Sequence, residues 1–271
     1  MNLIKGQTGQ TELWESGESY QHYIGRWSRL VADEFIGWLN VLPQQRWLDV
    51  GCGTGALSRA ILERASPAIV QGIDPSQSHI TLASGTIHDE RVAFLVGTAE
   101  RLQLPNDSFD AVVSGLVLNF VPDPVRGIGE IKRVTRQDGT IGAYVWDYAD
   151  KMELMRYFWD AAVALDEGAI MLDEGRRFPL CKPEPLKELF EAVGLQRVEI
   201  RPIDVHTRFE NFNDFWLPFL GGQGPAPGYA MALSEKGRTL LRDRIHSTLP
   251  IADDGSINLI ARAWAIKGMR S

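Results

Sequence analysis

Between Arg46 and Trp146 the chain alternates short apolar runs with amphipathic segments, and this rhythm restricts the fold more than any other feature. Arg46–Val50, Ala68–Ile73, Val92–Val96, Phe109–Ser114 and Thr140–Trp146 read as five strands. Ala56–Ala65, Ser76–Ser84 and Pro124–Arg136 read as helices between them; in the last, Val125, Ile128, Ile131 and Val134 recur at helical spacing. Strands that are apolar along their whole length need cover on both faces, as in a parallel sheet wrapped by helices. Crossovers in such a sheet are right-handed, so the expected fold is α/β and doubly wound.

The flanks are less regular. Trp27, Leu30, Val31, Phe35, Trp38 and Leu42 predict a helix that ends before Pro43. After Trp146, helices are expected at Glu153–Leu165 and Pro183–Val193, the second stopped by Gly194. Val198–Ile203 and Ile257–Ile266 read as two further strands. Between them lie an aromatic, glycine-rich stretch, Phe212–Gly228, and a largely helical one, Tyr229–Thr248. Residues 212–248 are therefore expected to be a lid-like insertion in a single domain covering residues 1–271, with no linker to set them apart.

Composition excludes several function classes. With 28 Lys and Arg against 35 Asp and Glu the net charge is -7, and no basic run stands out. Nucleic acid as a main partner is thus not expected. Two cysteines, Cys52 and Cys181, make neither a disulfide framework nor a four-ligand zinc site. None of the five histidines forms a pair with metal-ligand spacing, so no metal is expected. Residues 1–10 lack the apolar core of a signal peptide, and the most apolar stretch, Ala111–Val121, is too short to span a bilayer, which takes ~20 residues. A soluble protein of the cytoplasm that does not act in a membrane is expected; its oligomeric state is left open.

The chemistry concentrates in Asp49-Val50-Gly51-Cys52-Gly53-Thr54-Gly55, where a strand turns into a helix. Glycines permit the tight turn and let the backbone approach a ligand, and the helix start presents free N–H groups. A dinucleotide site shows G-x-G-x-x-G, whereas this chain has D-x-G-x-G-x-G. An acid two residues before the first glycine would repel a diphosphate, yet it suits an ammonium group. The second strand ends in Asp74-Pro75, where an open α/β sheet grips ribose hydroxyls. Gly97-Thr98-Ala99-Glu100 follows the third strand and can frame a purine edge.

With Leu104-Pro105 and Asp107-Ser108-Phe109-Asp110 added, the chain resembles the class I S-adenosylmethionine-dependent methyltransferases over residues 46–146, and in particular their small stand-alone branch. The resemblance implies a Rossmann-like sheet of seven strands ordered 3-2-1-4-5-7-6, the last antiparallel, with helical lid insertions. Residues 46–146 would be the cofactor-binding core and residues 1–45 an N-terminal cover. The cofactor would be S-adenosylmethionine, with S-adenosylhomocysteine as product. Gly51, Gly53 and Gly55 would form the glycine loop, Asp49 would support the methionine end, and Asp74 with Pro75 would meet the ribose. Thr98 and Ala99 would flank adenine, and Ser114 would offer its carbonyl or hydroxyl to the ammonium. Tyr20, Tyr23, Arg26 and Trp27 resemble the cover. The family often has Asp where this chain has Thr98, so a charged acceptor is missing and some cofactor affinity should be lost.

No catalytic residue is legible. Methyl transfer by in-line displacement needs positioning more than a base, so the absence of a dyad is compatible with activity on a small-molecule acceptor. Tyr20, Asn119, Tyr148 and Trp216 are candidates for the acceptor pocket, with Asp147 beside Tyr148; His22 and His206 could serve as bases or be ordinary surface histidines. The Phe215–Tyr229 aromatics either wall that pocket or pack as core. Two other readings use the same glycine turn and Asp74: an NAD-dependent oxidoreductase, and a non-catalytic protein that binds S-adenosylmethionine to regulate a partner.

Overall fold

The computed structural model describes residues 26–221 and 224–271. Helix α1 (Arg26–Leu39) buries Val31, Ala32, Phe35, Ile36 and Leu39 along one stripe, and the chain leaves it through Asn40 at φ 52°. Strand β1 (Arg46–Val50) follows, then α2 (Ala56–Arg64), β2 (Ile69–Asp74), α3 (Gln77–Thr86) and β3 (Val92–Val96). Strand β4 (Phe109–Gly115), α4 (Pro124–Val134) and β5 (Thr135–Trp146) complete the alternating part. Beyond it lie α5 (Glu153–Leu165), a short α6 (Glu174–Arg177), α7 (Pro183–Ala192) and β6 (Leu195–Phe209). Helices α8 (Phe212–Trp216), α9 (Pro225–Ala232) and α10 (Glu235–Thr248) precede the last strand, β7 (Ile257–Arg270).

The strands form one sheet ordered β3-β2-β1-β4-β5-β7-β6. β1 is parallel to β2 and β4, β2 to β3 and β4 to β5, while β7 runs antiparallel to both β5 and β6. The fold is Rossmann-like, in the strand order that the resemblance implied. Alternate residues of the central strands enter two cores. Trp47, Ala111, Val113, Tyr144 and Trp146 join α1 and α2 on one face; Leu48, Val50, Val112, Ile141, Ala143 and Val145 join α4 and α7 on the other.

Helix starts follow local side-chain chemistry. Pro124 occupies the first turn of α4, and Asp123 caps it by accepting from Arg126 N–H at 3.0 Å. Ser76 caps α3 by accepting from His79 N–H at 3.3 Å, so the cap there is Ser76, which leaves Asp74 to the strand tip. Ser234 accepts from Gly237 N–H at 3.2 Å and starts α10, which divides the expected Tyr229–Thr248 helix in two.

Three strands run longer than expected, among them β7, which continues past Ile266 to Arg270. β5 begins directly after α4 at Thr135, through polar residues 135–139 that carry no apolar signal and a pairing irregularity opposite Phe109–Ala111. β6 continues past Ile203 to Phe209, paired with β7 from Asp204↔Arg262 to Phe209↔Ile257. Since β5 stops at Trp146↔Ala263, this pair projects beyond it by roughly 20 Å at ~3.3 Å per residue. Helices α5 and α8–α10 pack aromatic side chains against this projection: Phe158, Phe215 and Phe219 are fully buried, and Phe158 stacks on Phe219 with centroids 4.5 Å apart. No helix among the described residues is long and apolar enough to cross a membrane.

Ile61 of α2 is fully buried, whereas Leu30 of α1 is 51% exposed. Ile61→Ala is expected to lower the unfolding free energy by ~2–5 kcal/mol, and Leu30→Ala to leave it within ~0.5 kcal/mol. Urea unfolding of the two variants and the parent measures both.

Candidate functional site

The site is built where the C-terminal ends of the parallel strands meet. After Val50 the chain turns through Gly51, Gly53 and Gly55, all at positive φ (76°, 51° and 89°). The Ile73 carbonyl at the end of β2 accepts from the Gly51 and Cys52 N–H groups at 2.7 and 3.0 Å, which pins the loop to the neighbouring strand. A Cβ at Gly51 would lie 2.5 Å from Val117, so that glycine permits close packing onto the turn after β4. Gly53 serves another purpose. A Cβ there would meet nothing within 4 Å, so its bare backbone faces open space.

Asp74 organises the second strand end. One carboxylate oxygen, Oδ2, accepts from Gly53 N–H at 2.9 Å. The other, Oδ1, accepts from Ser76 N–H at 2.9 Å and lies 3.2 Å from His79 Nδ1. Its backbone carbonyl accepts from Gly97 N–H at 3.1 Å, bringing in the loop after β3. The first three strand tips therefore converge, as the expected ligand requires.

Asp49 is fully buried one strand away. Its Oδ2 accepts from Ser58 Oγ at 2.7 Å, and its Oδ1 has no hydrogen-bond partner. Burial pushes its pKa up to about 7, against the Ser58 hydrogen bond and with a further push from Asp74. A buried acceptor left unpaired is costly, so this oxygen is suited to a donor or cation brought by a ligand. A diphosphate beside it would meet like charge instead.

The remaining expected residues are placed as follows. Ser114 is buried and its hydroxyl donates to the Val50 carbonyl at 2.8 Å, so its proton is already committed to β1 and only acceptor capacity remains. Thr98 is exposed and Ala99 half-buried in the loop after β3. That loop abuts the segment after β4, because a Cβ on Gly127 would lie between Val121 and Ala99, at 3.2 and 3.7 Å. Pro75 is exposed at the tip of β2. Arg26 opens α1; Trp27 is buried and meets Phe209 edge-to-face at 5.4 Å. Tyr20, His22 and Tyr23 lie outside the described residues. Cys52 is buried, and burial raises its thiol pKa far above neutrality, as expected of a packing residue.

The pocket candidates separate. Asn119 lies in the short turn after β4, two residues past Val117, and Tyr148 lies two residues past the end of β5. Trp216 does not join them. It is 5% exposed and packs among Phe212 and Phe219, with centroids 6.5 and 6.0 Å away, because α8 turns its apolar side onto the β6–β7 projection. Asp147 is buried and accepts from Asp150 N–H at 3.0 Å, which shapes the turn after β5. His206 is exposed on β6. Among the described residues no group of three His, Cys, Asp or Glu comes together as a metal site.

Three groups at these strand tips escape a reading of the sequence. Ser58 pairs with Asp49, and His79 with Asp74. Phe178 meets Phe120 edge-to-face at 5.2 Å and Tyr148 at 6.0 Å, joining the turns after β4 and β5. Ser58 carries a signal, being a polar residue within the buried stripe of Leu57, Ala60 and Ile61. Phe178 carries none, since residues 166–182 show no periodicity.

A family model described as a methyltransferase domain matches residues 48–142. The chain is similar to the chloroplastic 2-methyl-6-phytyl-1,4-hydroquinone methyltransferase 2 of Oryza sativa subsp. japonica, 29% identical over 68% of this chain and 49% of that protein. It is also similar to the demethylmenaquinone methyltransferase of Halalkalibacterium halodurans, 28% identical over 60% of this chain and 73% of that one. The chain spans about half the length of several curated relatives it matches (46–49%). Its fold is similar to that of Haemonchus contortus phosphoethanolamine N-methyltransferase 2 in complex with S-adenosyl-L-methionine, at a TM-score of 0.60 and 16% identity, covering 99% of this chain and 61% of that one.

Asp49 predicts a pH dependence of stability. Unfolded, its carboxyl ionises near the ordinary 3.8; folded, it holds its proton to about 7. Ionisation therefore favours the unfolded chain as pH rises from 4 to 7, and the cost is constant above 7. Asp49→Asn removes it. Measured by urea unfolding, the variant should gain on the parent by about 4 kcal/mol between pH 4 and pH 7. An unchanged difference across that range contradicts the assignment.

Proposed function

We propose that this chain, in which a methyltransferase-domain model matches residues 48–142 from β1 to β5, is a class I S-adenosylmethionine-dependent methyltransferase that binds its cofactor across the tips of β1, β2 and β3 and methylates a small-molecule acceptor. The observation that carries this reading is the convergence at Asp74 of the glycine loop, the start of α3 and the loop after β3.

The residues present fit such a cofactor. The unpartnered Oδ1 of Asp49 can take the ammonium of the methionine end, and the open space at Gly53 admits the ligand to the backbone. Asp74 retains lone pairs for ribose hydroxyls, while Thr98 and Ala99 flank the base. When bound, S-adenosylmethionine supplies a methyl group on a sulfonium that is already a good electrophile, open to in-line displacement by an acceptor atom. The part left to the chain is positional: to orient both partners and exclude water. Asn119 and Tyr148, at the ends of β4 and β5, border the acceptor. Residues 212–248, held by their buried aromatics against the β6–β7 projection, form a fixed wall more than a hinged lid.

Titration calorimetry with S-adenosylhomocysteine tests the reading. Asp74→Ala should weaken binding at least tenfold, since hydrogen bonds to charged groups contribute ~1.5–3 kcal/mol. Thr98→Asp should tighten it by restoring a charged acceptor. Binding of a cation beside Asp49 requires its ionised form, so affinity should rise with pH by up to about tenfold per unit and level off above about 7. Absence of binding at millimolar ligand contradicts the proposal.

A further inference from the structure

The acceptor side of the cleft has a chemistry of its own. Phe120, Tyr148 and Phe178 come from three separate segments, the turns after β4 and β5 and the stretch following α6. They meet through Phe178, and Phe120 remains 38% exposed although it is a large apolar ring. The residue before Phe120 in the chain is Asn119, whose side-chain oxygen is buried without any hydrogen-bond partner. This pairing of an open aromatic face with an unpaired buried acceptor recurs where a site takes a flat ligand and reads one polar group on it.

Resting on the proposed methyltransferase reading, we infer that Asn119 is the specificity-determining residue for an aromatic acceptor that bears a hydroxyl, its ring against Phe120 and Phe178 and its O–H donated to Asn119 Oδ1. The acceptor's polarity follows from the same atom. A carboxylate or phosphate would set lone pair against lone pair, and an ether would leave the oxygen unpaired. A neutral hydroxyl supplies the missing donor. A site built to pair a buried polar group rejects an analogue that lacks the partner, because the desolvated group then stays unsatisfied.

The test uses the full chain saturated with S-adenosylhomocysteine and two ring probes of nearly equal shape, 2-naphthol and 2-methoxynaphthalene. Calorimetry should give a single site for 2-naphthol and about tenfold weaker binding for the methyl ether. Asn119→Ala should bring 2-naphthol down to the level of the ether without changing S-adenosylhomocysteine affinity, which also reports that the variant is folded. Phe120→Ala should weaken both rings together. If S-adenosylhomocysteine binds but the rings do not, or bind equally, or keep their ratio in Asn119→Ala, this inference is overturned while the cofactor reading stands. If S-adenosylhomocysteine itself fails to bind, the proposed function falls and the inference with it.

Discussion

Asp74 is bonded to three different parts of the chain at once. Its side chain takes the Gly53 amide from the loop after β1 and the Ser76 amide that opens α3; its carbonyl takes the Gly97 amide from the loop after β3. Each of these bonds satisfies a backbone donor that a strand end or helix start would otherwise leave unpaired. A carboxylate is the group suited to this, because its two oxygens accept in several directions. Without the carboxylate, the Gly53 and Ser76 amides would lose their shared acceptor, while the Ile73 and Asp74 carbonyls would still tie Gly51, Cys52 and Gly97 to the end of β2.

This anchoring explains why the site can do chemistry with few reactive groups. Among the described residues these strand ends hold unpaired acceptors, Asp49 Oδ1 and Asn119 Oδ1, and backbone amides, and the Ser58–Asp49 hydroxyl–carboxylate pair is buried. Reaction by positioning needs a rigid frame more than an activated side chain. The frame continues outward through the β6–β7 projection, whose inner face is covered by α5 and α8–α10. Aromatic side chains that look, by composition, like the lining of a binding pocket are mostly spent on that packing.

What could be read beforehand follows the physics of burial. β1, β2, β4 and β5 from Thr140 onward are largely apolar because helices cover both faces, and such runs are visible in a sequence, whereas the polar start of β5 at residues 135–139 is not. The far half of β6 is not, because only Ile203, Val205, Thr207 and Phe209 turn inward while Asp204, His206 and Arg208 face out. That is a two-residue alternation, and the charged residues mask it. Asp49, Gly51, Gly53 and Asp74 were legible since their spacing along strand ends fixes their meeting. Trp216 was not placed correctly because an aromatic residue has the same composition in a core as in a pocket. Phe178 follows a short helix held by the local Asp173 cap and by the Arg156–Asp173 ion pair at 2.6 Å, and no local pattern announces the second.

Hydrogen–deuterium exchange of the full chain, with and without S-adenosylhomocysteine, tests the convergence of the strand tips most directly. Peptides covering residues 49–56, 72–79 and 96–101 should gain protection together, with the same ligand dependence, while α7 and the outer end of α10 stay unchanged. Protection confined to one of these segments, or appearing only elsewhere, would contradict a ligand lying across all three.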